Sequence, residues 1–105
     1  MNIHYNKEDK LLVMEITEEI DHHTTEKIRR RADYEIQRYM PKKALFDFNN
    51  VSFMDSAVIG MFVGMDKLLA MLGGSLELTN VKPSLERVFE MSGVLKIIPI
   101  HKNVS

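Results

Sequence analysis

The sequence predicts an α/β domain with a mixed, mostly parallel sheet onto which helices pack. Short runs with the two-residue period of a strand alternate with longer segments in which apolar residues recur every three or four positions. Proline or glycine stands at the boundaries of the helical segments. The resulting order is β-β-α-β-α-β-α-β, and such alternation indicates right-handed crossovers between parallel strands. We therefore expect one domain over residues 1–105, without a linker or repeat.

The first half of the chain predicts a hairpin, a helix and a central strand. Residues 3–5 and 11–16 are β-like runs on either side of a polar turn. From Asp21, which we predict as the cap, the apolar period changes to 3.6 residues. Pro41 ends this helix because proline disfavours the helical conformation in the residue before it. The apolar run 44–48 is typical of a central strand.

The next segment, residues 57–72, predicts an apolar helix that ends at Gly73, since glycine readily adopts the left-handed conformation after a helix. Gly60 and Gly64 have the spacing of closely packed helices, and we expect them to face the sheet. The helix is apolar on nearly all sides, which is more than one buried stripe requires. We therefore expect part of its apolar surface to bind a partner.

The last third predicts a strand, a helix and an edge strand. Residues 76–79 alternate as a strand does, and residues 97–100 form the closing edge strand. Between them, Pro83 suits the first position of a helix, and Gly93 suits its end. We expect the inner side of this helix to carry Leu85, Val88, Phe89 and Met91.

Composition excludes several classes of protein. The chain has no Cys, so it has no disulfide framework, no thiolate metal site and no catalytic cysteine. Its net charge is −1, from 14 Lys+Arg and 15 Asp+Glu, which provides no global attraction to nucleic acid or to an acidic membrane. The start of the chain lacks the pattern of a targeting segment, and Asp66 and Lys67 interrupt the apolar helix. We expect a cytoplasmic protein that binds neither nucleic acid nor membrane.

Ser56 is the strongest candidate for chemistry, because it follows Asp55 at the start of the apolar helix. One interpretation is a capping serine, whose oxygen accepts a bond from a free backbone N–H. The other is a regulatory phosphoacceptor, since free N–H groups at a helix start accommodate an anion. A hydrolase nucleophile is not indicated, because the G-x-S-x-G turn is absent.

Other polar clusters give weaker signals. His22 and His23 invite a metal or phosphocarrier hypothesis, but adjacent residues at a helix start point in different directions and no ligand lies one turn on. The basic run 29–31 is interleaved with acidic neighbours and fans around its helix, which is typical of a solvated face. The glycines fit no phosphate-binding loop. No cofactor and no metal is therefore expected.

Four blocks of the sequence stand out together by their order and spacing. They are Ile20-Asp21-His22-His23-Thr24, Ser52-Phe53-Met54-Asp55-Ser56, Gly73-Gly74 and Met91-Ser92-Gly93-Val94-Leu95-Lys96-Ile97-Ile98. In this arrangement the sequence resembles bacterial anti-sigma factor antagonists, the single-domain STAS proteins. The resemblance extends over essentially the whole chain, which is most similar to the sporulation-type members.

The resemblance implies a STAS-like fold and a partner switch in place of an enzyme. The unphosphorylated antagonist binds an anti-sigma factor serine kinase and thereby frees a sigma factor for transcription. The kinase phosphorylates one serine, which releases the antagonist, and a phosphatase resets it. By motif, the phosphoacceptor is Ser56. The docking surface is expected around the two acids and the start of the second helix, with the residues Asp21, His23, Thr24, Asp55, Ala57, Val58 and Ile59.

Two departures from the family pattern keep alternatives open. Family members carry a motif similar to D-S-[ST]-G, whereas this chain has Ala57 and Val58 after the serine. Glu18 also stands where the family usually has a glycine. The residues Ala57 and Val58 suggest one alternative, a STAS scaffold that is never phosphorylated. A phosphocarrier that uses His22 or His23 is a second alternative, from another class of protein. We expect a monomer or weak dimer.

Overall fold

The computed structural model describes residues 1–101 and contains five strands and three α-helices. Residues 102–105 of the predicted domain lie outside the described part of the chain. The strands are β1 Asn2–Asn6, β2 Leu11–Glu15, β3 Lys43–Asp47, β4 Ser75–Thr79 and β5 Ile100–His101. The helices are α1 Thr25–Tyr39, α2 Ile59–Met71 and α3 Pro83–Ser92, and short 3₁₀ turns cover Ser56–Val58 and Val94–Lys96.

The strands form one sheet in the order β1-β2-β3-β4-β5, with β3 at its centre. Only β1 and β2 are antiparallel; β2 with β3, β3 with β4 and β4 with β5 are parallel. This topology confirms the predicted mixed, mostly parallel α/β fold. Parallel neighbours also place the loops that follow their carboxyl ends at one edge of the sheet.

The core lies on the sheet face that the even-numbered residues of the central strands form. Side chains of successive strand residues point to opposite faces, so the buried positions recur every second residue. In β2, β3 and β4 they are Leu12, Met14, Ala44, Phe46, Leu76 and Leu78. All three helices bury their apolar stripes in the same cluster. The fold is thus two layers, a sheet and a layer of helices.

Phe62 of α2 holds the centre of this core. Its ring lies 5.3 Å from that of Phe46, 5.7 Å from that of Phe48 and 6.0 Å from that of Phe89, measured between centroids. The rings meet at edge-on or tilted angles, which aromatic pairs prefer. Because these residues come from β3, its following loop, α2 and α3, the cluster fixes the position of α2 on the sheet.

Most predicted helix ends are confirmed by the backbone. The residue before Pro41, Met40, leaves the helical conformation with φ at 46° and closes α1. Gly93 has φ at 79° and caps α3, as only glycine does at little cost. Gly73 takes the same left-handed conformation just after α2.

Several sequence-based expectations about packing are wrong. Met91, predicted on the inner side of α3, is 83% exposed, because the buried side of the helix carries Leu85 and Phe89. Gly60 and Gly64 do not face the sheet: a methyl group added at either would meet no atom within 4 Å. They line an open groove of about 330 Å³ between α1 and α2. The last strand begins at Ile100 and not at residue 97, since a 3₁₀ turn precedes it.

The helices in residues 1–101 are too short or too polar to cross a membrane.

Two glycines give a matched test of this packing. A methyl group on Gly74 would lie 2.4 Å from the carbonyl oxygen of Pro41, so we expect Gly74→Ala to lower the free energy of unfolding by about 1–3 kcal/mol. Gly64→Ala adds a methyl to an open helix surface and should raise it by about 0.5–1 kcal/mol. Urea unfolding followed by circular dichroism measures both. Equal effects of the two substitutions on the free energy of unfolding would contradict the close approach of the Pro41 carbonyl to Gly74.

Candidate functional site

The site is built from two loops that meet at one edge of the sheet. The β2–α1 loop (residues 16–24) and the β3–α2 loop (residues 48–58) follow adjacent parallel strands. An isolated parallel bridge joins Ile20 to Met54. The Ile20 N–H donates to the carbonyl of Phe53 at 3.4 Å, and the Asp55 N–H donates to the carbonyl of Ile20 at 3.0 Å. The two loops are thereby paired.

A carboxylate reinforces this pairing. Glu19 accepts the backbone N–H of Ser52 at 3.0 Å with one oxygen and the Ser52 hydroxyl at 3.1 Å with the other. The Ser52 N–H is the main cause that lowers the pKa of Glu19, and the charge of Lys82 contributes. Hydrogen bonds to a charged acceptor are shorter and stronger than neutral ones, so the ionised carboxylate suits this contact.

Asp21 organises the start of the other contact region. Its carboxylate accepts the N–H groups of His23 at 2.8 Å and Thr24 at 3.0 Å, and the Thr24 N–H is the main cause that lowers its pKa. The predicted role of Asp21 as the cap of the first helix is wrong, because α1 begins only at Thr25. Asp21 instead closes a turn in front of the helix.

Asp55, and not Ser56, caps the turn that leads into α2. The Asp55 carboxylate accepts the N–H of Ala57 at 2.9 Å. Ser56 is the first residue of the 3₁₀ turn and is exposed, and within residues 1–101 its hydroxyl has no hydrogen-bond partner. The interpretation of Ser56 as the capping residue is therefore wrong, since the carboxylate before it satisfies the free N–H. The serine hydroxyl is left available to solvent.

The structure brings most of the predicted contact residues to this edge. His23 and Ala57 are exposed, and Asp21, Thr24 and Ile59 are partly so. The prediction of Val58 as a contact residue is wrong. Val58 is 4% exposed and packs in the core, so it supports the turn without offering a contact surface. Its burial follows from the 3₁₀ turn, which directs every third residue inward.

Sequence reasoning missed one exposed residue and the supports of the site. Phe53 is 57% exposed two residues after Val51, which is buried. The sequence shows this aromatic residue three positions before Ser56. Its exposure could not be predicted, because a loop has no period that separates buried from exposed positions. Glu19, Ser52 and Lys82 were missed because their contacts join residues about thirty positions apart.

The two adjacent histidines lie together on the surface. The rings of His22 and His23 are 5.8 Å apart and exposed at the turn before α1. In the described part of the chain, no group of three or more His, Asp or Glu side chains is placed to hold a metal ion.

The chain is similar to known proteins over almost its whole length. The STAS domain family matches residues 2–105. An anti-sigma F factor antagonist of Paenibacillus polymyxa is 36% identical over 93 residues, which are 89% of this chain and 80% of that protein. The solved structure of the anti-sigma factor antagonist SpoIIAA in its unphosphorylated form has a TM-score of 0.76 at 27% identity and covers 90% of this chain and 83% of its own. The Bacillus cell fate determinant SpoIIAA in the phosphorylated form has a TM-score of 0.66 at 27% identity, covering 90% and 86%.

The chain therefore belongs to the STAS domain family. Its curated relatives are anti-sigma factor antagonists, which confirms the resemblance that the four sequence blocks indicated.

The division of roles between Asp55 and Ser56 predicts unequal losses of stability when each side chain is truncated. Asp55→Ala removes the cap and should lower the free energy of unfolding by about 0.5–2 kcal/mol, as loss of other helix caps does. Ser56→Ala removes an exposed hydroxyl that makes no hydrogen bond within residues 1–101 and should change the free energy of unfolding by less than about 0.5 kcal/mol. Denaturant unfolding of both variants measures this. A larger loss for Ser56→Ala than for Asp55→Ala would restore the capping interpretation.

Proposed function

We propose that the chain is a cytoplasmic anti-sigma factor antagonist whose binding to an anti-sigma factor serine kinase is controlled by phosphorylation of Ser56. The observation that carries this proposal is the exposed Ser56 hydroxyl, which the neighbouring Asp55 releases from capping. In the unphosphorylated state the antagonist occupies the anti-sigma factor and so frees a sigma factor. The chain acts in this switch as a monomer or weak dimer and is not itself the enzyme.

The fold is suited to accept a phosphate without unfolding. The turn around Ser56 is held by the Asp55 carboxylate and by the bridge to Ile20, and neither contact uses the serine hydroxyl. Phosphorylation adds about −1.5 to −2 charges at pH 7. The change is therefore expected in the surface that a partner sees and not in the path of the chain.

The neighbours of Ser56 explain how that charge would act. Phe53 and Ala57 give the surface an exposed apolar part, and Asp21 and Asp55 add acidic groups. A dianion among them must be desolvated when an apolar partner surface covers it, and it repels an acidic one. Both effects release a partner that docks on the unmodified surface.

The chemistry of the proposed cycle requires two partners. The kinase transfers the γ-phosphoryl group of ATP to the Ser56 oxygen, with ADP as the leaving group and release of the hydroxyl proton. A phosphatase then hydrolyses the phosphoserine to serine and inorganic phosphate. Relatives support this cycle, because SpoIIAA is known in an unphosphorylated and a phosphorylated form and the Paenibacillus relative is named for an anti-sigma F factor.

A STAS scaffold without phosphorylation is the second candidate. The turn carries Ala57 and the buried Val58 where relatives are expected to carry a hydroxyl and a glycine, and core packing holds Val58 in place. A phosphocarrier role for His22 or His23 gains no support from the contacts of either ring.

The proposal predicts a charge-specific loss of binding. We expect Ser56→Asp to weaken binding to the anti-sigma factor about tenfold or more, equivalent to about 1.4 kcal/mol. Ser56→Ala should bind as the wild type does, because it adds no charge and the turn keeps its Asp55 cap. Calorimetric titration against the host anti-sigma factor, with that of Paenibacillus polymyxa as a second probe, measures both.

Ser84→Asp is the matched control, since it adds the same charge at an exposed serine in the first turn of α3. It should bind within about twofold of the wild type. Equal weakening by Ser84→Asp and Ser56→Asp would show a general charge effect, and undiminished binding of Ser56→Asp would favour the scaffold.

A further inference from the structure

We propose that Glu19 is the positioning residue of the switch, the group that holds the β3–α2 loop in the conformation that presents Ser56 to a partner. This inference rests on the proposed function, because it assigns a role in presenting that serine. It concerns a residue that is neither the phosphoacceptor nor one of the predicted contact residues.

Two consecutive residues, Glu19 and Ile20, fix the β3–α2 loop. Glu19 binds both donors of Ser52, the backbone N–H and the hydroxyl. Ile20 binds the next part of the loop through the Phe53 carbonyl and the Asp55 N–H. The segment from residue 52 to residue 55, directly before Ser56, is thus attached at both ends to residues 19 and 20.

Glu19 also belongs to the other contact region, the turn before α1. Its backbone carbonyl accepts the Thr24 hydroxyl at 2.8 Å, and that hydroxyl lies beside the carboxylate of Asp21. The side chain of Glu19 therefore holds one predicted contact segment while its backbone holds the other. A partner that touches both segments meets them in a fixed relative position.

Charged side chains hold the β3–α2 loop from two sides. Lys82, just before α3, donates to the carbonyls of Asn49 and Val51 at 2.9 Å each. The β3–α2 loop is consequently held by a cation at one end and by the Glu19 carboxylate at Ser52. Both charges act on polar backbone groups of an exposed loop, which has no core packing of its own at Ser52 and Phe53.

Holding the loop matters for binding because ordering a flexible segment opposes association. A loop that is already in its bound conformation loses less entropy when the partner docks. Removing the carboxylate should therefore weaken binding through the loop, with the contact residues themselves unchanged.

The test compares Glu19→Gln with Glu18→Gln. The control removes the same charge from the preceding residue, whose carboxylate pairs with Lys27 at 3.5 Å and lies outside the clamp on Ser52. Both purified variants are studied by ¹H–¹⁵N NMR across an acid titration and by calorimetric binding to the host anti-sigma factor. Thermal unfolding monitors the fold.

Two readouts are expected to change only in Glu19→Gln. In the wild type the Ser52 amide resonance should shift with pH as Glu19 is protonated, and this titration should persist in Glu18→Gln but vanish in Glu19→Gln. Affinity for the anti-sigma factor should fall about tenfold in Glu19→Gln and less than twofold in Glu18→Gln. Ser52→Ala, which keeps the N–H bond but loses the hydroxyl, should show an intermediate loss and serves if Glu19→Gln does not fold.

The inference is overturned if the Ser52 amide does not titrate, or if binding is unchanged when its titration is lost. It is also overturned if Glu18→Gln weakens binding as much as Glu19→Gln. A wild-type chain that binds no anti-sigma factor would instead contradict the proposed function. In that case the Ser52 titration still decides whether Glu19 holds the loop.

Discussion

The parallel pairing of β2 with β3 is the constraint on which the rest of the site depends. Parallel neighbours bring the segments after their carboxyl ends to the same edge, and here those segments continue to pair through Ile20 and Met54. The aromatic cluster around Phe62 fixes α2 against the same central strand. Ser56, at the entry to α2, therefore stands in a fixed place beside the β2–α1 loop.

Three carboxylates hold the loops at this edge of the sheet, so the fold does not need the Ser56 hydroxyl for this purpose. Asp55 caps the turn into α2, Asp21 closes the turn before α1, and Glu19 holds Ser52. Each accepts backbone N–H groups that would otherwise lack partners, which is the usual requirement at loop and helix ends. A residue can serve as a switch when the fold does not need its side chain, and Ser56 meets this condition.

The periodic elements could be predicted from the sequence because burial imposes a period on each of them. Strand alternation identified Leu76 and Leu78, and left-handed glycine identified the end of α3 at Gly93. Prediction was weaker at the ends of the periodic elements: Met91, in the last turn of α3, faces solvent, and Val58, in the turn before α2, is buried.

The motif located Ser56, but its environment could not be predicted. Whether Asp55 or Ser56 caps the turn depends on the backbone path between them, and the Glu19–Ser52 contact joins residues that only the fold brings together.

The most direct test of the central claim is the mass of the intact chain after incubation with the host kinase and ATP, followed by peptide mapping. The account predicts one acid-stable phosphate on Ser56 and none on the Ser56→Ala chain. A phosphate that maps to a histidine would contradict it. So would a chain that binds the anti-sigma factor but stays unmodified after this incubation, since phosphorylation could then not control its release.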